Sequence, residues 1–216
     1  LKGGKTLIIT QLEAVDRSKV KVYLDGEYHF MLYNKELEQW NMEEGNELTP
    51  EQYKIIMENI IHRAKQKAIN LLKFMDRTEY GLRNKLKESG YIDDVIDITI
   101  DYVKGYGYIN DERYATIYIE ARKKSKSRRM LTNELQRKGI SKDIIDNIFQ
   151  LVYEVNEEGE DPEDIAIKKE ISKKIKNKAD LTPELKKKIY ASLFRKGYNP
   201  NKIRKHIGDI YDDNTF

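Results

Sequence analysis

With 216 residues the chain can form one to three small modules. Apolar residues make up 39% and charged residues 36%, at a net charge of +3, a balance that fits an elongated helical array better than one compact globule. The lack of cysteine excludes a disulfide framework and a thiolate metal site. No apolar run approaches the length of a membrane span and no signal peptide is visible, so a cytoplasmic protein without a membrane partner is expected.

Residues 6–14 and 19–32 alternate in a way that suits strands, with Val20, Val22 and Leu24 on one face. Asp25-Gly26 between apolar alternations predicts a hairpin over 19–32, with 6–14 as a third strand. Residues 34–40 follow as a short helix. Trp40, the one tryptophan, is read as a plug between sheet and helices. Gly45 marks a turn. Thr49-Pro50-Glu51-Gln52 then combines a capping residue, proline at the first helical position and a glutamine placed to reach back. A three-four apolar period from Tyr53 to Met75 predicts one long helix, or two collinear ones, to about Asp76. Thr78 can cap the next. Further starts stand at Asn110, Ser141, Asp161-Pro162, Thr182-Pro183 and Asn199-Pro200, and none of the four prolines interrupts a helix.

The second half of this pattern repeats. Around Gly90, Gly139 and Gly197, position −8 carries Leu82, Leu131 or Ile189, and position −4 carries Leu86, Leu135 or Leu193. Position +1 carries Tyr91, Ile140 or Tyr198, and +6 carries Ile96, Ile145 or Ile203. Position +10 carries Ile100, Phe149 or Ile207, and +13 carries Val103, Val152 or Ile210. Each copy is thus a helix, a glycine stop and a second helix. A helical stretch precedes each (64–76, 111–124 and 162–177), giving a unit of about three helices near fifty residues. The glycines lie 49 and 58 residues apart (139−90, 197−139). The fold class expected is mainly α, tandem three-helix repeats in an elongated curved array behind a small N-terminal antiparallel sheet. The domains are a β-rich segment over 1–48 and helical modules over 49–109, 110–156 and 157–216.

Charge is uneven. Residues 122–138 hold eight basic side chains and one acidic, net +7, and residues 165–188 hold nine and three, net +6. The rest of the chain therefore sums to −10 (3−7−6). Such asymmetry points to a polyanionic partner or an acidic protein surface, set against the plainer reading of solvated lysine-rich faces. Arg122, Lys123, Lys124, Lys126, Arg128 and Arg129 are the candidate contact residues, because they surround a helix end rather than forming one stripe. Among the tyrosines near residue 106 most are read as packing. Tyr106, between Gly105 and Gly107, is the candidate for a partner contact. No phosphate-binding loop or nucleophile elbow occurs. His29, His62 and His206 lack metal-ligand spacing, and Asp93-Asp94 and Asp212-Asp213 read as capping or solvated acids. No catalytic residue, metal site or cofactor is expected.

Three motifs in order carry a resemblance. They are R-T-x-x-x-L-x-x-K-L at 77–86, G-Y-I-N-D-E-R-Y-A at 107–115 and L-x-x-E-L-x-x-K-G-I at 131–140, with Y-A-S-L-F-R-K-G-Y-N-P-N-K-I at 190–203 as a further repeat. The chain resembles the RecX family of regulatory proteins over about residues 68–211. Gly81 departs from the pattern, standing where the family carries a better helix former. The resemblance implies a protein that binds RecA recombinase and its filament on single-stranded DNA, in the filament groove, and modulates its activity, usually by inhibition; a monomer is expected. DNA itself would be a weaker, direct partner. A stand-alone nucleic-acid-binding helical-repeat protein is the competing reading, and an enzyme with a metal on scattered acids is a distant third.

Overall fold

The protein is described from a computed structural model, over residues 5–154, 160–175 and 181–208. Gly3-Gly4, Glu157, Glu158, Ile210 and Asp212-Asp213 lie outside that range. Four strands open the chain: β1 (Leu7–Ala14), β2 (Lys19–Leu24), β3 (Glu27–Tyr33) and β4 (Glu47–Leu48). They form an antiparallel sheet in the order β3-β2-β1-β4. Asp25 and Gly26 both take positive φ (49° and 88°), the conformation a two-residue hairpin requires. The fourth strand was not expected. It is two residues long, too short to show alternation, and is defined by pairing Leu48 with Leu7.

Helix α1 (Asn34–Gln39) lies between β3 and β4, and the long α2 (Pro50–Phe74) follows β4. Thr49 accepts from the Gln52 amide at 3.2 Å and Gln52 Oε1 accepts from the Thr49 amide at 3.0 Å, a reciprocal box. Ile9, Val22, Leu24, Phe30 and Leu32 of the sheet bury against Ile56, Met57, Ile60 and Ala64 of α2, with Trp40 half-buried at the margin.

Next come α3 (Glu79–Glu88), α4 (Asp93–Gly105), α5 (Asp111–Glu120), α6 (Arg128–Arg137) and α7 (Lys142–Glu154). The last three are α8 (Pro162–Ser172), α9 (Pro183–Arg195) and α10 (Pro200–Ile207). The glycines of the repeat stand at equivalent corners. Gly90, Gly139 and Gly197 have φ of 85°, 84° and 79°. In each copy the residue after glycine donates to the carbonyl of the leucine at −4: Tyr91 to Leu86 (3.3 Å), Ile140 to Leu135 (3.2 Å) and Tyr198 to Leu193 (3.2 Å). This is the six-to-one closure of a helix end, with its apolar side chain folded back over the last turn. Gly81, the departure in α3, sits where the Thr78 hydroxyl caps the helix: its amide donates to Thr78 Oγ1 at 3.1 Å, and a Cβ there would stand 3.2 Å from that oxygen.

The chain divides into two compact units, Leu1–Asn110 and Asp111–Phe216. In the first, Ala68, Leu82, Leu86, Ile96, Ile100 and Val103 form a second core beside that of the sheet. In the second, Ala115, Ile119, Leu131, Leu135, Ile145 and Phe149 form one core. Ala166, Ile167, Ile189, Leu193, Tyr198 and Ile203 form another.

Two of the repeat corners, at Gly90 and Gly197, also receive residues from an earlier part of the chain. At Gly90, Tyr28 of β3 donates its hydroxyl to the glycine carbonyl at 2.5 Å, and Met31 lies against the bare Cα. At Gly197, Ser127 donates its hydroxyl to the Lys196 carbonyl at 2.6 Å, and Arg129 lies against the glycine. Tyr198 donates to the Ser125 carbonyl at 3.4 Å.

Candidate partner-binding surface

The basic run is built by the end of α5 and the start of α6. Helix α5 stops at Glu120, short of the expected residue 124, and residues 121–126 form tight turns. The amides of Arg122 and Lys123 both donate to the Ile119 carbonyl, at 3.0 and 2.7 Å, so the last turn winds up. This tightening carries Lys123 inward. Only 7% exposed, it places Nζ 3.0 Å from Glu120 Oε1 and 3.4 Å from the Val152 carbonyl of α7. Burial and these acceptors take Lys123 off the exposed surface on which sequence alone had placed it.

The other five candidates divide by what they touch. Lys126 forms an ion pair with Glu134, which also accepts from the Tyr118 hydroxyl at 2.8 Å. Burial works to raise the Glu134 pKa, but the Lys126 and Tyr118 hydrogen bonds outweigh it and hold the carboxyl low. Burial and the same carboxylate push the Tyr118 hydroxyl up to about 12. Arg122 lies 4.0 Å from the centre of the Tyr118 ring, and Arg128 4.5 Å from that of Tyr153 and 4.9 Å from that of Phe149. Lys124 and Arg129 are exposed and make no ion pair among the described residues.

Arg129 leads to residues that the sequence reading did not select. It lines a shallow cleft of about 290 Å³ together with Asn133 and Arg137 of α6 and Arg195 and Lys196 at the end of α9. Arg137 and Arg195 are likewise exposed and unpaired among the described residues, whereas Lys196 is held by Glu170. Glu134, the one carboxylate on the wall, is already engaged. A signal for this pair was present: the tripeptide R-K-G stands at 137–139 and again at 195–197, in register with the repeat. Tyr106 stands apart, on the first unit. It is 66% exposed and its ring stacks on Tyr108 at 6.0 Å and leans on Tyr102 at 4.9 Å. No group of three or more potential metal ligands occurs among the described residues, His206 instead lying 3.1 Å from Asp164.

The family profile described as the RecX first three-helix domain matches residues 64–102, and that of the second three-helix domain matches 110–147. A regulatory protein RecX from Caldanaerobacter subterraneus is 34% identical over 191 residues, 87% of this chain and 94% of its own length. The chain belongs to the RecX family. A RecX regulatory protein from Clostridium beijerinckii is 32% identical, over 88% of this chain and 90% of its own. Two solved structures share the fold. One is a crystal structure of regulatory protein RecX, with a TM-score of 0.61 at 23% identity, over 93% of this chain and 98% of that one. The other is RecX from Lactobacillus salivarius, with a TM-score of 0.57 at 22% identity, over 69% and 96%. In RecX terms, α5, α6 and the first part of α7 are the second three-helix domain, so the basic run joins the first two helices of a family unit.

Proposed function

We propose that this RecX-family chain is a cytoplasmic regulator that binds RecA recombinase and its filament on single-stranded DNA and lowers recombinase and ATPase activity, acting by contact and not by catalysis. Membership of a family of regulatory proteins supports the regulatory role. The observation that carries the location is the set of unpaired arginines, Arg129, Arg137 and Arg195, lining one cleft on the second unit, with Lys124 exposed on the turn before α6. Exposed cations that satisfy no internal carboxylate add little to folding and remain available to an acidic protein surface or to phosphates.

The test is RecA's DNA-dependent ATPase with and without this protein, then with a variant carrying Lys124→Glu, Arg129→Glu, Arg137→Glu and Arg195→Glu. Inhibition by the wild type is expected, and its loss in the variant should be largest at low salt, where attraction is least screened. Full inhibition by the variant at low salt would move the contact elsewhere.

The exposed Tyr106–Tyr108 stack favours a second reading, direct binding of single-stranded nucleic acid through base stacking. Binding to DNA alone at physiological salt, as tight as to the filament and unaffected by RecA, would select it. Tyr106→Ala would then weaken DNA binding.

A further inference from the structure

A second cationic site lies on the first unit, in a cleft of about 220 Å³ between β3, α2 and the α3–α4 corner. Lys19 of β2 and Arg63 and Lys67 of α2 line it, with the rings of Tyr33 and Tyr91. Two of the cations flank one ring: Arg63 Cζ is 5.3 Å, and Lys19 Nζ 5.9 Å, from the centre of Tyr33. Arg63 is fixed in place, its Nη1 donating to Glu36 at 2.7 and 2.5 Å and its Nη2 to the Met31 carbonyl at 3.0 Å. Its Nε–H is buried with no partner among the described residues, as is that of Arg77. Lys19 and Lys67 make no ion pair among the described residues. Glu88, the one carboxylate on the wall, is bound by Lys85 at 2.6 Å.

We propose that this cleft binds a phosphate group. A tetrahedral dianion accepts hydrogen bonds from several directions at once, and the Lys19 and Lys67 ammonium groups and the Arg63 guanidinium line this one cleft from β2 and α2. At about 220 Å³ the cleft is smaller than the roughly 300–1,000 Å³ of pockets that enclose a whole drug-sized ligand. It therefore takes the phosphate and leaves the remainder of the molecule outside. The phosphate belongs either to a free phosphomonoester, such as a mononucleotide, or to the end of a nucleic-acid strand. The site shares no residue with the cleft proposed for RecA, so the two readings stand or fall separately.

Titration of the 216-residue chain with inorganic phosphate, at ionic strength held constant with chloride, tests this by the NMR shifts of the lysine Nζ and arginine Nε groups. Saturable shifts are expected at Lys19, Arg63 and Lys67. A Lys19→Gln, Lys67→Gln variant should bind phosphate at least tenfold more weakly while melting, without phosphate, at the wild-type temperature. Competition by adenosine monophosphate names the free ester as the source. Competition by a 5′-phosphorylated oligonucleotide, but not by its unphosphorylated form, names the strand end. Shifts that chloride alone reproduces, or equal phosphate affinity in the double variant, would overturn the proposal.

Discussion

Lys123 and Lys124 are neighbours in sequence and opposites in the fold. One spans from the end of α5 to the Val152 carbonyl; the other stands in solvent. Lys123→Glu should therefore destabilise the second unit by about 2 kcal/mol, the worth of hydrogen bonds to a charged group, plus repulsion from Glu120. Lys124→Glu should stay within about 0.5 kcal/mol of wild type. Denaturant melts compare the two directly, and equal midpoints would remove the structural role given to Lys123. The basic character of the run was legible in the sequence. The burial of one member was not, because it depends on an acceptor 29 residues away. The glycines allow a sharper comparison. Alanine at Gly107 meets nothing within 4 Å and incurs only the left-handed backbone cost of roughly 1–2 kcal/mol. Alanine at Gly197 would also press on Cβ and Cδ of Arg129 at 2.9 Å, atoms near the base of that side chain. Gly197→Ala should thus cost more than Gly107→Ala, and equality in thermal melts would mean that the Arg129 contact yields freely.

Among the helices, the apolar stripes read from the repeat are the core stripes. Leu86, Leu135 and Leu193 are all buried, and each also caps its helix through a carbonyl taken by the residue after glycine. Leu135→Ala should cost about 2–5 kcal/mol through lost transfer energy and a residual cavity, and chemical unfolding of the variant measures it. Helix starts were legible because capping residues and prolines announce them locally. The end of α5 was not, since it lies in a tightened last turn in which the Arg122 and Lys123 amides share the Ile119 carbonyl, and no capping residue or proline marks it in the sequence. Helices α8 and α10 are joined by charge: Lys202 meets Asp161 at 2.7 Å and Glu163 at 3.2 Å, and Lys205 meets Asp164 at 2.8 Å. Burial works to raise the Asp161 and Asp164 carboxyls, but hydrogen bonds from Lys202 to the first and from Lys205 to the second hold both below their ordinary value. A carboxylate lowered on folding adds stability above its unfolded pKa of about 4 and loses it as pH falls through the folded value. The α8–α10 contact should accordingly weaken below about pH 4 and hold between pH 5 and 8. An acid titration followed by the NMR shifts of the Lys202 and Lys205 Nζ groups would show it, and an unaltered Asp161→Asn, Asp164→Asn profile would assign the acid transition elsewhere.

At the scale of the molecule, Leu86 and Leu193 belong to cores with no residue in common. Their alanine substitutions should add within about 0.5 kcal/mol in a double variant. A larger coupling energy would mean that the two cores communicate. The repeat, the mainly α class and the N-terminal antiparallel sheet were legible because periodicity and glycine stops are properties of local sequence. The cleft of Arg129, Arg137 and Arg195 was not found, because its walls come from helices about sixty residues apart that the spacing of charges along the chain does not bring together.

One consequence follows from the corner at Gly197. Ser127 and Arg129 find it through a carbonyl and a bare Cα, both fixed by the closure of α9 itself. The address is therefore written in the corner and not in the stretch of chain that leads to it. That makes the repeat tolerant of unequal spacing: the interval of 58 residues before Gly197 exceeds the 49 before Gly139, while doubling the length of a loop costs only about 0.6 kcal/mol in closure entropy. Lengthening the connection between α7 and α8 by a few glycines and serines should leave the melting of the second unit almost unchanged, whereas a single side chain added at residue 197 should not.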